Sequence, residues 1–235
     1  MIPVWLHWLA IAALLFGAAS ALILLVDVAH RPQHMGIMNV VWPVTGLYAG
    51  PLALWGYYRF GRAPSHAMHA HGAPAKPFYA AVGIGATHCG SGCTLGDIVA
   101  EWLCFGAPAI AVWFGWRSVF ADKIFAVWIV DFIFAFGFGI VFQYFAIAPM
   151  RGLSFGPGMV AALKADTLSL SAWQIGMYGF MALAQFAYFR PLLGMLVEVN
   201  TVEFWFAMQL AMLCGFVTSY PVNWWLIKIG IKETM

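Results

Sequence analysis

Charged side chains are scarce in this sequence. Aspartate, glutamate, lysine and arginine together make up 9% of its 235 residues, whereas about a quarter of a typical soluble domain is charged. A soluble domain of this length needs a polar surface, and so few charged residues cannot supply one. The composition therefore excludes a soluble globular enzyme and a disordered chain. The formal net charge of +2, with no basic cluster, gives no indication of nucleic-acid binding.

Cysteine is also sparse, and the motifs of common cofactors are missing. The four cysteines do not suggest an extracellular disulfide framework, because Cys104 and Cys214 stand singly within apolar stretches. The sequence contains no nucleotide-binding loop and no serine nucleophile elbow. No two histidines fall in the middle of predicted spans that face each other, so there is no haem signature.

Hydrophobic residues make up 63% of the chain. This predicts an all-α integral membrane protein, with residues 1–235 in a single transmembrane domain. A membrane helix needs about 20 predominantly apolar residues. About six stretches meet this requirement and predict six transmembrane helices: residues 3–26, 36–58, 78–116, 124–148, 167–189 and 203–229.

The third of these stretches, residues 78–116, is too long for one straight membrane helix. It predicts either one bent helix or two short helices that meet within the membrane. Ser91-Gly92 and Gly96-Asp97 are the expected break points. Four glycines in this stretch are expected to allow close helix packing: Gly83, Gly85, Gly92 and Gly96.

Lysine and arginine in the connections between the stretches predict the orientation. With six spans, seven of the eleven basic residues lie on one side. This favours a multi-pass protein of the bacterial inner membrane with both termini in the cytoplasm. The longest polar connection, residues 59–77, contains His66, His69 and His71. It is either a plain hydrophilic loop or a loop that collects a metal ion.

The segment from His88 to Glu101 carries the most chemistry. Cys89, Cys93, Asp97 and Glu101 recur every four residues, with His88 beside the first, so a helix would place them on one face. A carboxylate in the middle of a membrane costs roughly 2.5–3.5 kcal/mol. Two of them need protonation, water, a basic partner or a bound cation. Since thiolates prefer soft ions, the row predicts a binding site or pathway for copper or zinc.

Other interpretations of the same segment stay open. Cysteine is a common small residue in helix contacts, and a helix that began at Asp97 would leave both upstream cysteines in a loop. Cys89 and Cys93 could instead serve a membrane thiol-disulfide oxidoreductase. A third possibility is a structural subunit of a larger membrane complex or a homo-oligomer.

A second group of soft ligands lies near the start of the second stretch. His30, His34 and Met38 are four residues apart, with Met35 adjacent, and helical register is expected only after about Pro32. Imidazole and thioether groups suit copper, which predicts an entry site at the mouth of this span. The alternative is a pair of interfacial histidines with two packing methionines.

Asp131 lies about eight residues inside the fourth stretch. An ionisable residue within a membrane span is a functional hypothesis by default. It could face the row that contains Asp97 and exchange protons as an ion moves, or it could bond a neighbouring tryptophan or asparagine.

Three motifs together resemble a known family. They are MNVVWP at residues 38–43, HCGSGCTLGDI at residues 88–98 and PVNWWL at residues 221–226. They resemble an uncharacterised family of bacterial polytopic membrane proteins, the domain of unknown function 4396. The resemblance covers most of the chain and rests chiefly on the cysteine segment. It implies a helical protein with several membrane spans, and it implies no established activity.

Overall fold

A computed structural model describes residues 2–63 and 76–233 of the chain. This part of the chain is helical and contains no β-strand, apart from an isolated bridge between Trp116 and Phe120. The histidines of the polar connection, His66, His69 and His71, lie outside the described residues.

The helices follow one another as α1 to α9. Their bounds are α1 Val4–His30, α2 Met38–Ala49, α3 Pro51–Gly56, α4 Phe78–Gly106, α5 Ala109–Trp113, α6 Lys123–Arg151, α7 Phe155–Ala182, α8 Arg190–Leu193 and α9 Val202–Lys228. Two π-helical segments continue helices without a break: Tyr57–Gly61 follows α3, and Leu183–Phe189 follows α7.

Helices α1, α6 and α9 are long and apolar enough to cross a membrane. Helices α4 and α7 are of similar length but carry more polar and small residues. Helix α4 is the centre of the bundle, where it packs against α2, α6, α7 and α9, and nearly all of residues 80–97 are buried. A helix surrounded by protein needs no apolar surface, so α4 can carry polar groups that a lipid-facing helix cannot.

The third predicted stretch forms one long helix and one short helix. Helix α4 runs without interruption for 29 residues, so the expected breaks at Ser91-Gly92 and Gly96-Asp97 do not occur. The break comes instead at Ala107, which precedes Pro108. A residue before proline is disfavoured in helical conformation, which ends the helix there.

Two of the four glycines in α4 do allow close packing. A Cβ atom at Gly92 would lie 2.8 Å from the backbone nitrogen of Gly139 in α6, and one at Gly96 would collide with the backbone of Ala135. Small residues four apart on both helices thus let α4 and α6 approach closely. Gly83, in contrast, would contact only ring atoms of neighbouring side chains, at 3.8 Å or more.

The prediction of a single span over residues 36–58 is wrong. Helix α2 ends at Ala49, and Gly50 adopts a left-handed backbone conformation with φ of +52°. The chain turns at Gly50 because glycine tolerates this conformation. Pro51 then starts a new helix, since proline is favoured in the first turn of a helix and disfavoured in its interior. Residues 38–61 therefore form two half-length helices joined at Gly50, called the helical hairpin below.

Contacts with α1 show that the helical hairpin returns to the end at which it started. Its turn lies against the middle of α1, where a Cβ atom at Gly17 would collide with the carbonyl of Leu47. Its far end comes back to Asp27, near the end of α1. The Tyr57 hydroxyl donates to Asp27 at 2.6 Å, and Arg62 Nε donates to it at 3.0 Å. The hairpin thus penetrates about halfway through the bundle.

The hairpin changes the direction of every later helix relative to the six-span prediction. The starts of α1 and α9 lie together, since His7 contacts Glu203 at 2.7 Å. The end of α6 lies beside the segment after α9, where Arg151 pairs with Glu233. The start of α1 and the end of α9 therefore lie at opposite ends of the bundle. This geometry does not match the expectation of both termini on one side.

Candidate functional site

The predicted row on α4 lies inside the bundle. His88, Cys89, Cys93, Asp97 and Glu101 are all buried, and because α4 is continuous they follow one another along one helix face. They do not converge on one point. Within residues 2–63 and 76–233, no group of three or more His, Cys, Asp or Glu side chains is placed to hold a metal ion. The row divides instead into three regions with different partners.

The first region joins the row to the helical hairpin. His88 Nε2 lies 2.8 Å from the Sδ atom of Met38, and both side chains are buried. Met38 is the first residue of α2. The other ring nitrogen of His88 has no hydrogen-bond partner among the described residues. An imidazole and a thioether in contact are a pair of ligands that suits copper.

The remaining residues of the predicted entry site are less buried than this pair. The helical register expected after about Pro32 does not form, because α2 begins only at Met38. His30 is exposed and contacts the carbonyl of Val26 at 2.8 Å, His34 is exposed, and Met35 packs at the edge of an apolar cluster. Met38 is the member of this group whose contact with the row is seen in the described part of the chain.

The second region is a buried polar cluster around Cys89. The Cys89 thiol donates to Asp166 Oδ1 at 2.9 Å and lies 2.9 Å from Ser169 Oγ. Lys232 Nζ lies 3.3 Å from Cys89 Sγ and 3.5 Å from both Asp166 Oδ1 and Ser169 Oγ. Asn223 donates its amide to Ser169 Oγ at 2.6 Å. These five residues, called the Lys232 cluster below, are at most 2% exposed.

The direction of each hydrogen bond in the cluster follows from its donors. The Ser169 oxygen accepts from the amide of Asn223 and from the ammonium of Lys232. The single hydroxyl hydrogen of Ser169 is therefore left for the sulfur of Cys89. Cys89 then donates to Asp166 and accepts from both Ser169 and Lys232. The cluster is a connected network in which an acid and a base balance each other.

Lys232 reaches the cluster because the chain folds back after α9. Gly230 takes a left-handed conformation with φ of +74°, and the backbone nitrogens of Ile231 and Lys232 both donate to the carbonyl of Leu226. Burial lowers the pKa of the Lys232 ammonium, but the neighbouring Cys89 and Asp166 more than offset this, so the net pKa is raised. Lys232 is thus a cation held inside the bundle.

Sequence reasoning missed four members of this cluster. The fifth stretch was predicted to begin at residue 167, whereas α7 begins at Phe155, so Asp166 was left outside it. Lys232 follows the last apolar stretch, and the sequence places it only among the basic residues that predict the orientation. One signal could have identified this pair: an acid buried within a helix, such as Asp166, needs a basic partner. Ser169 and Asn223 carry no charge and gave no comparable signal.

The third region contains three carboxylic acids. Asp97 and Glu101 on α4 lie beside Asp131 on α6, and the three are close enough to influence one another. All three are buried, and both carboxyl oxygens of Asp97 and Asp131 lack a hydrogen-bond partner in the described part of the chain. Three negative charges in an apolar interior would repel one another, so the group needs protons or a cation to persist.

Cavities border this acidic region at two levels. One cavity of about 190 Å³ is lined by Asp97 together with Thr94, Met208, Met212 and Gln209. Another of about 60 Å³, towards the end of α4, is lined by Glu101, Lys123 and Glu198 among others. A cavity of either size has the volume to hold water.

Cys93 lies between the Lys232 cluster and the acidic region. It is fully buried, and neither it nor Cys89 forms a disulfide. The two thiols are four residues apart on one continuous helix. The prediction that they act as a redox pair is not tested by this geometry.

Comparisons with known proteins give a family without an activity. A family model described as a domain of unknown function (DUF4396) matches residues 79–232. No curated protein matches the chain, and no solved structure matches it. The matched range includes the Lys232 cluster and the three acids, whereas Met38 and the rest of the helical hairpin precede it.

Proposed function

The chain belongs to the family of the domain of unknown function 4396, and from this premise we propose that it transports a soft transition-metal ion, copper or zinc, across a membrane. The carboxylic acids exchange protons as the ion moves. The observation that carries the proposal is the buried face of α4, where His88, two thiols and two acids follow one another. The face extends about 20 Å from His88 to Glu101, or most of the hydrocarbon thickness of a bilayer.

The order of groups along α4 suits stepwise movement of an ion. The contact between His88 and Met38 and the contact between Cys89 and Asp166 each offer two ligands. A path needs sites that bind an ion well enough to take it up and weakly enough to release it. Two-ligand sites meet that need better than the four-ligand sites that hold structural zinc.

The acids suit proton exchange. A metal ion that reaches a thiol or a carboxyl group displaces its proton, and Asp97, Glu101 and Asp131 lie next along the path. Their oxygens have few competing partners within the described residues. Each can therefore take up or release a proton without breaking a hydrogen-bond network.

We propose that five helices cross the membrane, namely α1, α4, α6, α7 and α9, and that the helical hairpin enters it from one side. Broken helices that end inside a membrane are typical of transport proteins. Seven of the eleven basic residues lie at the end where the hairpin starts, Lys232 is buried inward from that same end, and Arg117, Lys123 and Arg190 lie at the other. By the positive-inside rule the first end faces the cytoplasm of a bacterial inner membrane.

Metal flux into liposomes tests this proposal. Purified protein is reconstituted, and entry of Cu(I) or Zn(II) is followed with a trapped fluorescent indicator. We expect flux above protein-free liposomes, and a loss of at least about tenfold in Asp131→Asn, because the group of three acids then lacks one proton site. Asp122→Asn, which changes an acid paired with Arg190 outside the row, is the matched control. Wild-type protein that moves neither ion contradicts the proposal.

A thiol-disulfide oxidoreductase is the second candidate, and the contact between Lys232 and Cys89 favours it. The ammonium offsets part of the cost of forming the buried thiolate that such an enzyme needs. Alkylation with a mass tag before and after reduction distinguishes the two functions. A stoichiometric, reducible bridge between Cys89 and Cys93 in protein isolated from cells would support the oxidoreductase, and its absence would count against it.

A further inference from the structure

We infer that Lys232 occupies a cation-binding site as a tethered substitute for the ion. The site is formed by Cys89, Asp166, Ser169 and Asn223, and its ligand is a soft or borderline divalent cation such as zinc. The segment after α9, residues 229–233, closes the site and is called the plug below. The inference rests on the proposed function, since it assigns one of the binding sites along the same path.

The geometry of Lys232 is that of a bound cation. Its ammonium touches a sulfur, a carboxylate oxygen and a hydroxyl oxygen, at 3.3, 3.5 and 3.5 Å. These atoms come from α4 and α7, and an ammonium is a compact point charge like a metal ion. A thiolate with a carboxylate is also a ligand set that suits zinc.

An unpaired oxygen supplies an independent observation. Asn223 is fully buried, and its amide nitrogen is used by Ser169, yet its Oδ1 atom has no hydrogen-bond partner in the part of the chain described. A buried amide oxygen without a partner is costly. A metal ion in the site would bind this oxygen as its fourth ligand, whereas the Lys232 ammonium forms no hydrogen bond with it.

The charges balance in both states. With Lys232 in place, one ammonium faces the Asp166 carboxylate, and Cys89 keeps its proton as a donor to Asp166. When a divalent cation replaces the ammonium, the Cys89 thiol releases its proton to water. The thiolate and the carboxylate then neutralise the two positive charges. Neither state leaves a charge unpaired in the interior.

The plug is held at its outer side by a weak contact. Glu233, the residue after Lys232, pairs with Arg151 at 2.8 Å, and these two side chains are 35% and 36% exposed. Exposed ion pairs contribute little stability. Gly230 supplies the turn before the plug, so withdrawal needs rotation about a residue with wide backbone freedom. Withdrawing the Lys232 ammonium from the site costs free energy, and the binding of a cation in its place offsets this cost.

Cadmium binding to the full-length protein in detergent tests the site. In Lys232→Ala we expect about one Cd²⁺ per chain, seen by thiolate-to-metal absorption, and faster alkylation of Cys89 measured by peptide mass spectrometry. The double variant Lys232→Ala/Cys89→Ser should lose this binding. Lys228→Ala, which removes an exposed lysine at the same end, should behave as wild type. A folded Lys232→Ala protein that binds no Cd²⁺ and protects Cys89 as well as wild type overturns the inference.

A milder variant covers the case in which Lys232→Ala does not fold. Glu233→Gln keeps the buried pair and weakens only the outer contact. We expect alkylation of Cys89 to become about two- to fivefold faster, as for loss of an exposed ion pair, with no change at buried Cys104. An unchanged rate at Cys89 overturns the plug.

The outcomes separate this inference from the transport proposal. Cadmium binding in Lys232→Ala without metal flux by the wild-type protein would support the site and contradict transport. Flux by the wild-type protein, with no cadmium bound in the folded variant, would support transport and overturn the site.

Discussion

Gln209 on α9 donates its side-chain amide to the carbonyl of Leu47 at 2.7 Å, in the last turn of the first half of the helical hairpin. The last carbonyls of any helix lack partners within the helix, and in a membrane no water is available to supply them. Gln209 supplies one such partner halfway through the bundle. A single amide on the last helix therefore helps to hold a helix end that would be costly if left unpaired.

Replacing this amide should destabilise the protein. In Gln209→Leu the Leu47 carbonyl loses its close donor, and we expect a loss of about 1–3 kcal/mol, read as a lower apparent melting temperature in detergent. Gln143→Leu is the matched control, because both amide atoms of Gln143 are buried without a partner in the described chain. Its stability should stay the same or rise. Equal losses in the two variants would show that Gln209 does not support the hairpin.

Because of the helical hairpin, the segments that precede and follow it should lie on the same side of the membrane. Cysteines introduced as Pro32→Cys and Lys76→Cys flank the hairpin and should react on the same side, whereas a single span would separate them. Ser118→Cys should react on the other side. We expect a membrane-impermeant thiol reagent to label Ser118→Cys in intact cells and the other two only after lysis, because the proposed orientation places the basic end in the cytoplasm. Labelling of Pro32→Cys and Lys76→Cys from opposite sides would contradict the hairpin.

The close contact of α4 with α6 predicts a sharp difference between two glycines. A methyl group at Gly96 would meet the backbone of Ala135, which cannot move aside as a side chain can. We expect Gly96→Ala to lose about 1–3 kcal/mol or more, measured by thermal unfolding. Gly137 on α6 has nothing within 4 Å of such a methyl group among the described residues. Gly137→Ala should therefore keep or gain stability through its better helix propensity.

Replacing a buried aspartate by asparagine should destabilise the protein much more at Asp166 than at Asp131. Asp166→Asn leaves the Lys232 ammonium without its carboxylate, and breaking a buried pair costs about 3–5 kcal/mol. Asp131→Asn breaks no hydrogen bond of the described structure and should change stability by less than about 1 kcal/mol. Melting temperatures of the two variants provide the measurement. Similar values would mean that Asp166 and Lys232 are not a stabilising pair.

The local sequence pattern predicted best those helices that are long and apolar enough to cross a membrane. The apolar runs predicted α1, α6 and α9 to within a few residues, because length and hydropathy dominate there. The pattern failed at Gly50, where a half-length hairpin is as apolar as a full span. It also failed at the start of α7, where Asp166 has the character of a surface residue in the sequence but is buried in the fold.

Composition and spacing alone established that this chain is helical and apolar, and that thiols and acids share one face of α4. Those properties depend on residue types and on the repeat of the helix, which are local. Which groups meet depends on contacts between residues far apart in the chain. Met38 reaches His88 across 50 positions and Lys232 reaches Cys89 across 143. Only the packing of the helices could place a lysine beside the first thiol.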